Sequence, residues 1–79
     1  MTDPVLHDHG ERNGAFFVER EGRRVAELTY RMTGETVVVD HTWVDPMLRG
    51  GALAPGLVQA VVDWARREHR LISPVCSYV

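Results

Sequence analysis

A change of hydrophobic period at Asp45-Pro46 divides this sequence and decides its fold class. Upstream, Val25, Glu27, Thr29 and Arg31 alternate with Ala26, Leu28, Tyr30 and Met32. A period of two with one face nearly all apolar describes a strand that buries one side. Residues 15–20 before it are rich in strand formers, and residues 36–44 after it carry Val37-Val38-Val39 and end in His41-Thr42-Trp43-Val44. Glu21-Gly22 and Thr33-Gly34-Glu35-Thr36 are turn signals, so three strands form a meander. Downstream, from Ala54, the residues Leu57, Val58, Val61, Val62 and Ala65 fall on one continuous helical face. Pro55 is tolerated because it lies in the first turn, where its missing N–H had no partner. Arg66, Arg67 and Arg70 crowd the last turns, where positive charge suits the helix dipole. Residues 71–76 form a final apolar run of strand length.

The predicted order is therefore β-β-β-α-β. It implies an α/β domain with a mostly antiparallel sheet, one main helix across it, and the last two strands parallel and splayed. Residues 1–14 show no period and are expected to form a flexible N-terminal arm, with the domain proper over residues 15–79. A chain of 79 residues holds one domain. Its net charge of −2 provides no general attraction to nucleic acid or anionic lipid. All nine basic residues are arginine, which removes lysine as a catalytic base. No apolar run approaches the roughly 18 residues of a membrane span, and the N-terminus lacks the regions of a signal peptide. The single cysteine, Cys76, has no partner for an internal disulfide. A cytoplasmic protein, with neither nucleic acid nor membrane as partner, is expected.

The junction most suited to chemistry is residues 45–54, where a strand gives way to Arg49-Gly50-Gly51-Ala52-Leu53-Ala54 and then to the helix. A helix N-terminus exposes unpaired N–H groups and the positive end of the dipole. Small residues let that backbone approach an anion, and Arg49 adds charge. Neither a Walker A sequence nor a dinucleotide-binding fingerprint is present. An ordinary strand-to-helix turn, with glycine only for geometry, is the competing reading of the same residues.

The run from Val44-Asp45-Pro46 to Ala54 resembles the acetyl-CoA pyrophosphate loop of the GNAT acetyltransferase superfamily. The usual pattern is Gln or Arg, two residues, Gly or Ala, one residue, Gly or Ala, and Arg49, Ala52 and Ala54 occupy its three defined positions. Glycine is more frequent at the position of Ala52. With His41-Thr42-Trp43-Val44 before the loop and Pro74-Val75-Cys76-Ser77-Tyr78 after the helix, residues 15–79 resemble the very small, single-domain (YjdJ-like) members. These normally continue with another helix beyond the Cys-Ser-Tyr segment, so a C-terminal element is expected to be missing from this chain.

The resemblance implies an N-acetyltransferase that moves an acetyl group from acetyl-CoA, as cosubstrate, to an amine on a small molecule or a protein lysine. Backbone amides from Arg49 through Gly50, Gly51, Ala52, Leu53 and Ala54 would hold the pyrophosphate. Amides near Trp43 and Val44 would bind the pantetheine arm and polarise the thioester carbonyl. Cys76 is placed near the thioester, either as a nucleophile or as an inert lining residue. His41 is a candidate base, or a strand histidine satisfied by its neighbours. Tyr78 is a candidate acid for the departing thiolate, or a packing residue. Arg66, Arg67 and Arg70 are either a solvated helix end or contacts for the adenosine 3′-phosphate. His7-Asp8-His9 lacks a third fixed ligand, so no metal is expected. Trp43 and Trp64 are expected to pack the sheet against the helix. A non-catalytic module that binds acetyl-CoA or CoA, or a protein-interaction domain, is the alternative function. A monomer or weak homodimer is expected.

Overall fold

The computed structural model describes residues 4–74. Its elements are β1 (Leu6–His9), β2 (Asn13–Arg20), β3 (Arg23–Thr33), β4 (Thr36–Val44), a 3-10 turn (Pro46–Leu48), α1 (Leu53–Arg67) and β5 (Leu71–Pro74). The five strands form one sheet in the order β1-β2-β3-β4-β5. The first four are antiparallel to their neighbours, and β4 and β5 run parallel, from Thr36↔Leu71 to Val39↔Pro74. A parallel pair needs a crossover, and α1 supplies it. The mixed sheet with one helix is the architecture the sequence implies.

Two-residue turns set the meander. Glu21 and Gly22 both take positive φ (53° and 76°), the geometry that matches the right-handed twist of the flanking strands. On the helix side of β3, Ala26, Leu28 and Tyr30 are buried and Met32 is half-buried, as the alternation requires. From α1, Leu57, Val61, Trp64 and Ala65 meet them, with Val58 and Val62 at the margin. Removing Leu57 and Val61 fully from water contributes about 2 kcal/mol each. The helix ends on Arg66 and Arg67, and His69 at φ 54° turns the chain back toward β5.

Two features depart from the sequence reading. The first is β1, a strand within the segment expected to be a flexible arm. Its own burial pattern is exposed throughout, which leaves no apolar alternation to detect. It is held by pairing to β2, from Leu6↔Phe17 to His9↔Gly14.

The second is a β-bulge in β4. Tyr30 pairs with Val39 and Thr29 with His41, so Asp40 is the extra residue. Its Oδ1 accepts from Thr29 Oγ1 at 2.6 Å. One inserted residue reverses the alternation: Val37 and Val39 face the helix before the bulge, Thr42 and Val44 after it. Trp43 is therefore on the other face of the sheet, half-buried. The expectation that both tryptophans pack against the helix holds only for Trp64.

Candidate functional site

The chain leaves β4 through a turn fixed by Asp45. Its side chain accepts from the N–H of Met47 at 2.9 Å and its carbonyl from Leu48 N–H at 2.8 Å. Arg23 reaches the same carboxylate at 3.5 Å. Proline at position 46 suits the first turn, where no N–H is needed. Beyond the turn, Gly50 takes φ 87°, a left-handed conformation that a side chain strains, and the chain enters α1 through Gly51 and Ala52.

No side chain caps α1: its N-cap is Ala52. The N–H groups of Leu53 and Ala54 have no carbonyl four residues back within the helix, and Pro55 brings no N–H at all. The helix thus presents bare donors and the positive end of its dipole. Val44, Leu48, Arg49, Gly50, Gly51 and Ala54 line a small recess there, and an open shelf runs from Gly50 and Gly51 along Ala54, Pro55, Val58 and Gln59. On the other flank of α1 lies a separate apolar groove whose lining includes Val5, Val18, Leu48, Leu53, Gly56 and Ala60.

Peptide geometry shows which β4 groups face outward. Asp45 N–H donates to Val25 O at 2.8 Å, toward β3. No described peptide is cis, so the Val44 carbonyl on the same peptide points the opposite way, off the β3 side. There it accepts from Arg49 Nε at 3.2 Å. A strand residue's own N–H and C=O share a direction, so the Val44 N–H faces the same edge and the Trp43 groups face β3. Of the two expected donors, Val44 is the one whose amide faces away from β3.

Residues 49–54 and Val44 are thus brought together. His41 is not with them: like Trp43 it projects from the opposite sheet face, exposed to solvent. Cys76 and Tyr78 lie outside the described residues. Arg66, Arg67 and Arg70 lie at or beyond the far end of α1, whose 15 residues span about 22 Å. That distance separates them from the recess, and Arg70 instead lies 5.4 Å over the Trp64 ring.

Sequence reasoning also missed a cluster beneath the C-terminal half of α1. Tyr30 is 1% exposed, and its hydroxyl lies 2.6 Å from His7 Nε2 and 2.9 Å from His9 Nδ1. A hydroxyl has one proton, so at least one imidazole offers it an N–H. The period-two spacing of the two histidines is the available signal, in a segment that otherwise reads as a solvated tail without a third metal ligand. Burial lowers the His7 pKa from 6.5, assisted by His9 and Arg67 and opposed by Asp8. Burial raises that of Tyr30 to about 12, with Arg70 opposing and Asp8 adding.

Both shifts predict a pH dependence of stability. A histidine whose folded pKa is lowered stabilises the fold above 6.5, and that contribution fades as pH falls from 6.5 through the lower folded value. A tyrosine whose folded pKa is raised stabilises below 10, and its contribution fades between 10 and about 12. The melting temperature is expected to decline in both windows. His7→Gln should flatten the acid limb and Tyr30→Phe the alkaline one; an unchanged acid limb in His7→Gln would exclude His7 as its source.

Comparison with known proteins agrees with this fold. A family profile described as GCN5-related N-acetyl-transferase matches residues 15–79. A GCN5-like protein of known structure from Staphylococcus aureus is 31% identical, with a TM-score of 0.65 over 99% of this chain and 76% of its own. An aminoglycoside N-acetyltransferase solved with CoA is 17% identical, with a TM-score of 0.69 over 86% of this chain and 58% of its own. A ribosomal-protein-alanine N-acetyltransferase from Brucella melitensis is 18% identical, with a TM-score of 0.70 over 86% of this chain and 55% of its own. This chain spans little more than half the length of these last two, and at such identities they share its fold alone. Among curated proteins none matches. Among the described residues no group of three or more His, Cys, Asp or Glu side chains is placed to hold a metal, and no helix is long and apolar enough to cross a membrane.

Proposed function

The chain belongs to the GCN5-related N-acetyltransferase family, and on that premise we propose that it binds acetyl-CoA at residues 49–54 and transfers the acetyl group to an amine. The observation that carries this reading is the uncapped start of α1 beside Gly50 and Arg49. A diphosphate carries negative charge and many acceptor oxygens, and bare N–H donors at a helix N-terminus match both. The Leu53 and Ala54 amides are the donors of the first turn. Ala52, where glycine is commoner in the family, sits at φ −88°. That value is open to any residue, so its methyl group brings no backbone strain.

When bound, acetyl-CoA supplies an activated acyl group: a neutral amine attacks the thioester carbonyl, and the CoA thiolate leaves and takes up a proton. The chain's task is to position that carbonyl and withdraw charge from its oxygen. Val44 N–H, turned away from β3, is our candidate donor. His41 is retained as a candidate base, Cys76 as a candidate nucleophile or lining residue, and Tyr78 as a candidate acid. Membership of the minimal, YjdJ-like subgroup belongs to the same proposal. A non-catalytic acetyl-CoA-binding role is the second reading, favoured by the separation of His41 from the recess across the sheet.

The test is the melting temperature with and without millimolar acetyl-CoA, for the wild type, Arg49→Glu and Gly50→Val. A ligand bound only by the folded state adds about 2.7 kcal/mol at a hundredfold excess over its Kd. The wild type is expected to rise by several degrees. Gly50→Val, strained at φ 87°, and Arg49→Glu, which puts negative charge beside the diphosphate, are expected to abolish the rise. No shift in a folded wild type would overturn the reading. A shift without turnover of any primary amine would favour the binding role.

A further inference from the structure

Two imidazole nitrogens and one phenol oxygen converge at the edge of the sheet, beneath the C-terminal half of α1. His7 Nε2 and His9 Nδ1 lie 2.6 and 2.9 Å from the Tyr30 hydroxyl. β1, β2 and β3 are neighbours in that order, so Tyr30 reaches the histidines across the whole width of β2, about 10 Å from strand to strand. Gly14 makes this possible. It pairs with both His9 and Tyr30, and a Cβ there would stand 2.5 Å from the hydroxyl. Tyr30, remote in sequence, thereby supplies the third fixed donor atom that His7-Asp8-His9 lacks by itself.

The donor set, the spacing and the surrounding charge narrow what such a group binds. Imidazole nitrogen and phenolate oxygen suit transition cations such as Cu2+ and Zn2+, whereas Mg2+ and Ca2+ prefer all-oxygen shells. Donor atoms about 2.0–2.1 Å from a common metal stand about 2.9 Å apart when they subtend a right angle. Both nitrogen–oxygen separations are within a few tenths of an ångström of that value. Right angles belong to the tetragonal geometry of Cu2+ rather than the tetrahedral one of Zn2+. The charged groups facing the cluster are Asp8 on its own strand and Arg67 and Arg70 from the end of α1. The arginines repel any cation, so attraction must come from coordinate bonds, which again disfavours hard ions. β1 is exposed along its length, which leaves water free to fill the remaining positions on the metal.

We infer that the chain binds Cu2+ through His7 Nε2, His9 Nδ1 and the Tyr30 oxygen. The assignment is independent of the acetyl-CoA reading, since the Arg49–Ala54 recess lies at the other end of α1. In the free protein the hydroxyl proton and one imidazole N–H make the two hydrogen bonds. On binding, the phenol proton leaves to solvent, and that imidazole carries its proton on its other ring nitrogen. Three lone pairs then meet the metal, and no electron is transferred. The bound ion ties β1 to β3 in place of the two hydrogen bonds.

The experiment uses the full chain with Cys76→Ser, because a free thiol also binds and reduces copper. Cu2+ is titrated by calorimetry and by absorbance, with Zn2+ and Mg2+ for comparison, and melts without metal confirm that each variant folds. One equivalent of Cu2+ is expected to bind, more tightly than Zn2+, with no binding of Mg2+. Coordination by Tyr30 should add a visible phenolate-to-copper charge-transfer band. His7→Gln and His9→Gln should each weaken Cu2+ by at least about 100-fold, more than the loss of an outer partner costs. Tyr30→Phe should remove the band and weaken binding by at least about tenfold. His69→Asn alters a histidine outside the cluster and suits the left-handed backbone there, so it should stay within about twofold. Copper saturation should raise the melting temperature of the parent chain and not that of His7→Gln. No saturable binding by the folded chain, or binding that survives both histidine variants, overturns the assignment. Binding without the band that also survives Tyr30→Phe overturns it as a three-donor site.

Discussion

Gly14→Ala is expected to destabilise the fold by about 3 kcal/mol, the upper range for forcing volume into a packed interior. A Cβ at Gly14 would sit 2.5 Å from both Asp8 O and the Tyr30 hydroxyl, and 2.7 Å from Tyr30 Cζ. Neither neighbour can yield. The Asp8 carbonyl belongs to the β1 backbone, and Tyr30 is buried with its hydroxyl between two imidazoles. For a domain of this size the loss corresponds to roughly 12–24 °C in melting temperature. Gly56→Ala is the control, because a Cβ in that part of α1 meets nothing within 4 Å. It should stabilise by about 0.5–1 kcal/mol through helix propensity. Adding Tyr30→Phe to Gly14→Ala should recover only part of the loss, since the ring carbon clash remains. A Gly14→Ala protein melting within a few degrees of wild type would show that β1 and Tyr30 are not packed as described.

Trp64→Ala is expected to cost about 3–5 kcal/mol, and Trp43→Ala far less. The Trp64 ring has its centroid 5.0 Å from that of His7, 5.8 Å from Phe16 and 5.2 Å from Tyr30. It thereby ties α1 to β1, β2 and β3 at once, and its removal leaves a cavity that three strands border. Trp43, on the far face, is only half-buried. Urea unfolding of the two variants reads the difference. Equal losses would mean that Trp43 lies in the core, contrary to the reversed alternation after Asp40.

Both predictions turn on features with weak local signatures. Leu6-His7-Asp8-His9 contains one aliphatic residue, and imidazoles count as polar in any hydrophobic pattern, so β1 left no apolar alternation. His7 nonetheless stacks on Phe16, and both histidines approach Tyr30, using ring faces that polarity scales ignore. The loop was legible because a helix N-terminus, glycine and arginine act through backbone chemistry that depends on local sequence alone. Val44 and Trp43 could not be separated that way, since which amide faces outward depends on pairing with β3.

What the sequence determined by itself was local periodicity and its interruptions: three strands, their turns, the α1 face from Leu57 to Ala65, and the Arg49–Ala54 junction. Each follows from spacing within a few residues, where backbone geometry dictates which side chains share a face. Tertiary structure alone decided which face of β4 meets the helix. Residues 36–44 read as a single strand, and the extra residue at Asp40 exists only relative to its partner strand, where Thr29 and Tyr30 pair with His41 and Val39. That pairing sends His41 and Trp43 to the far face and buries Thr42, because a one-residue slip in a period of two exchanges the two faces of every residue beyond it.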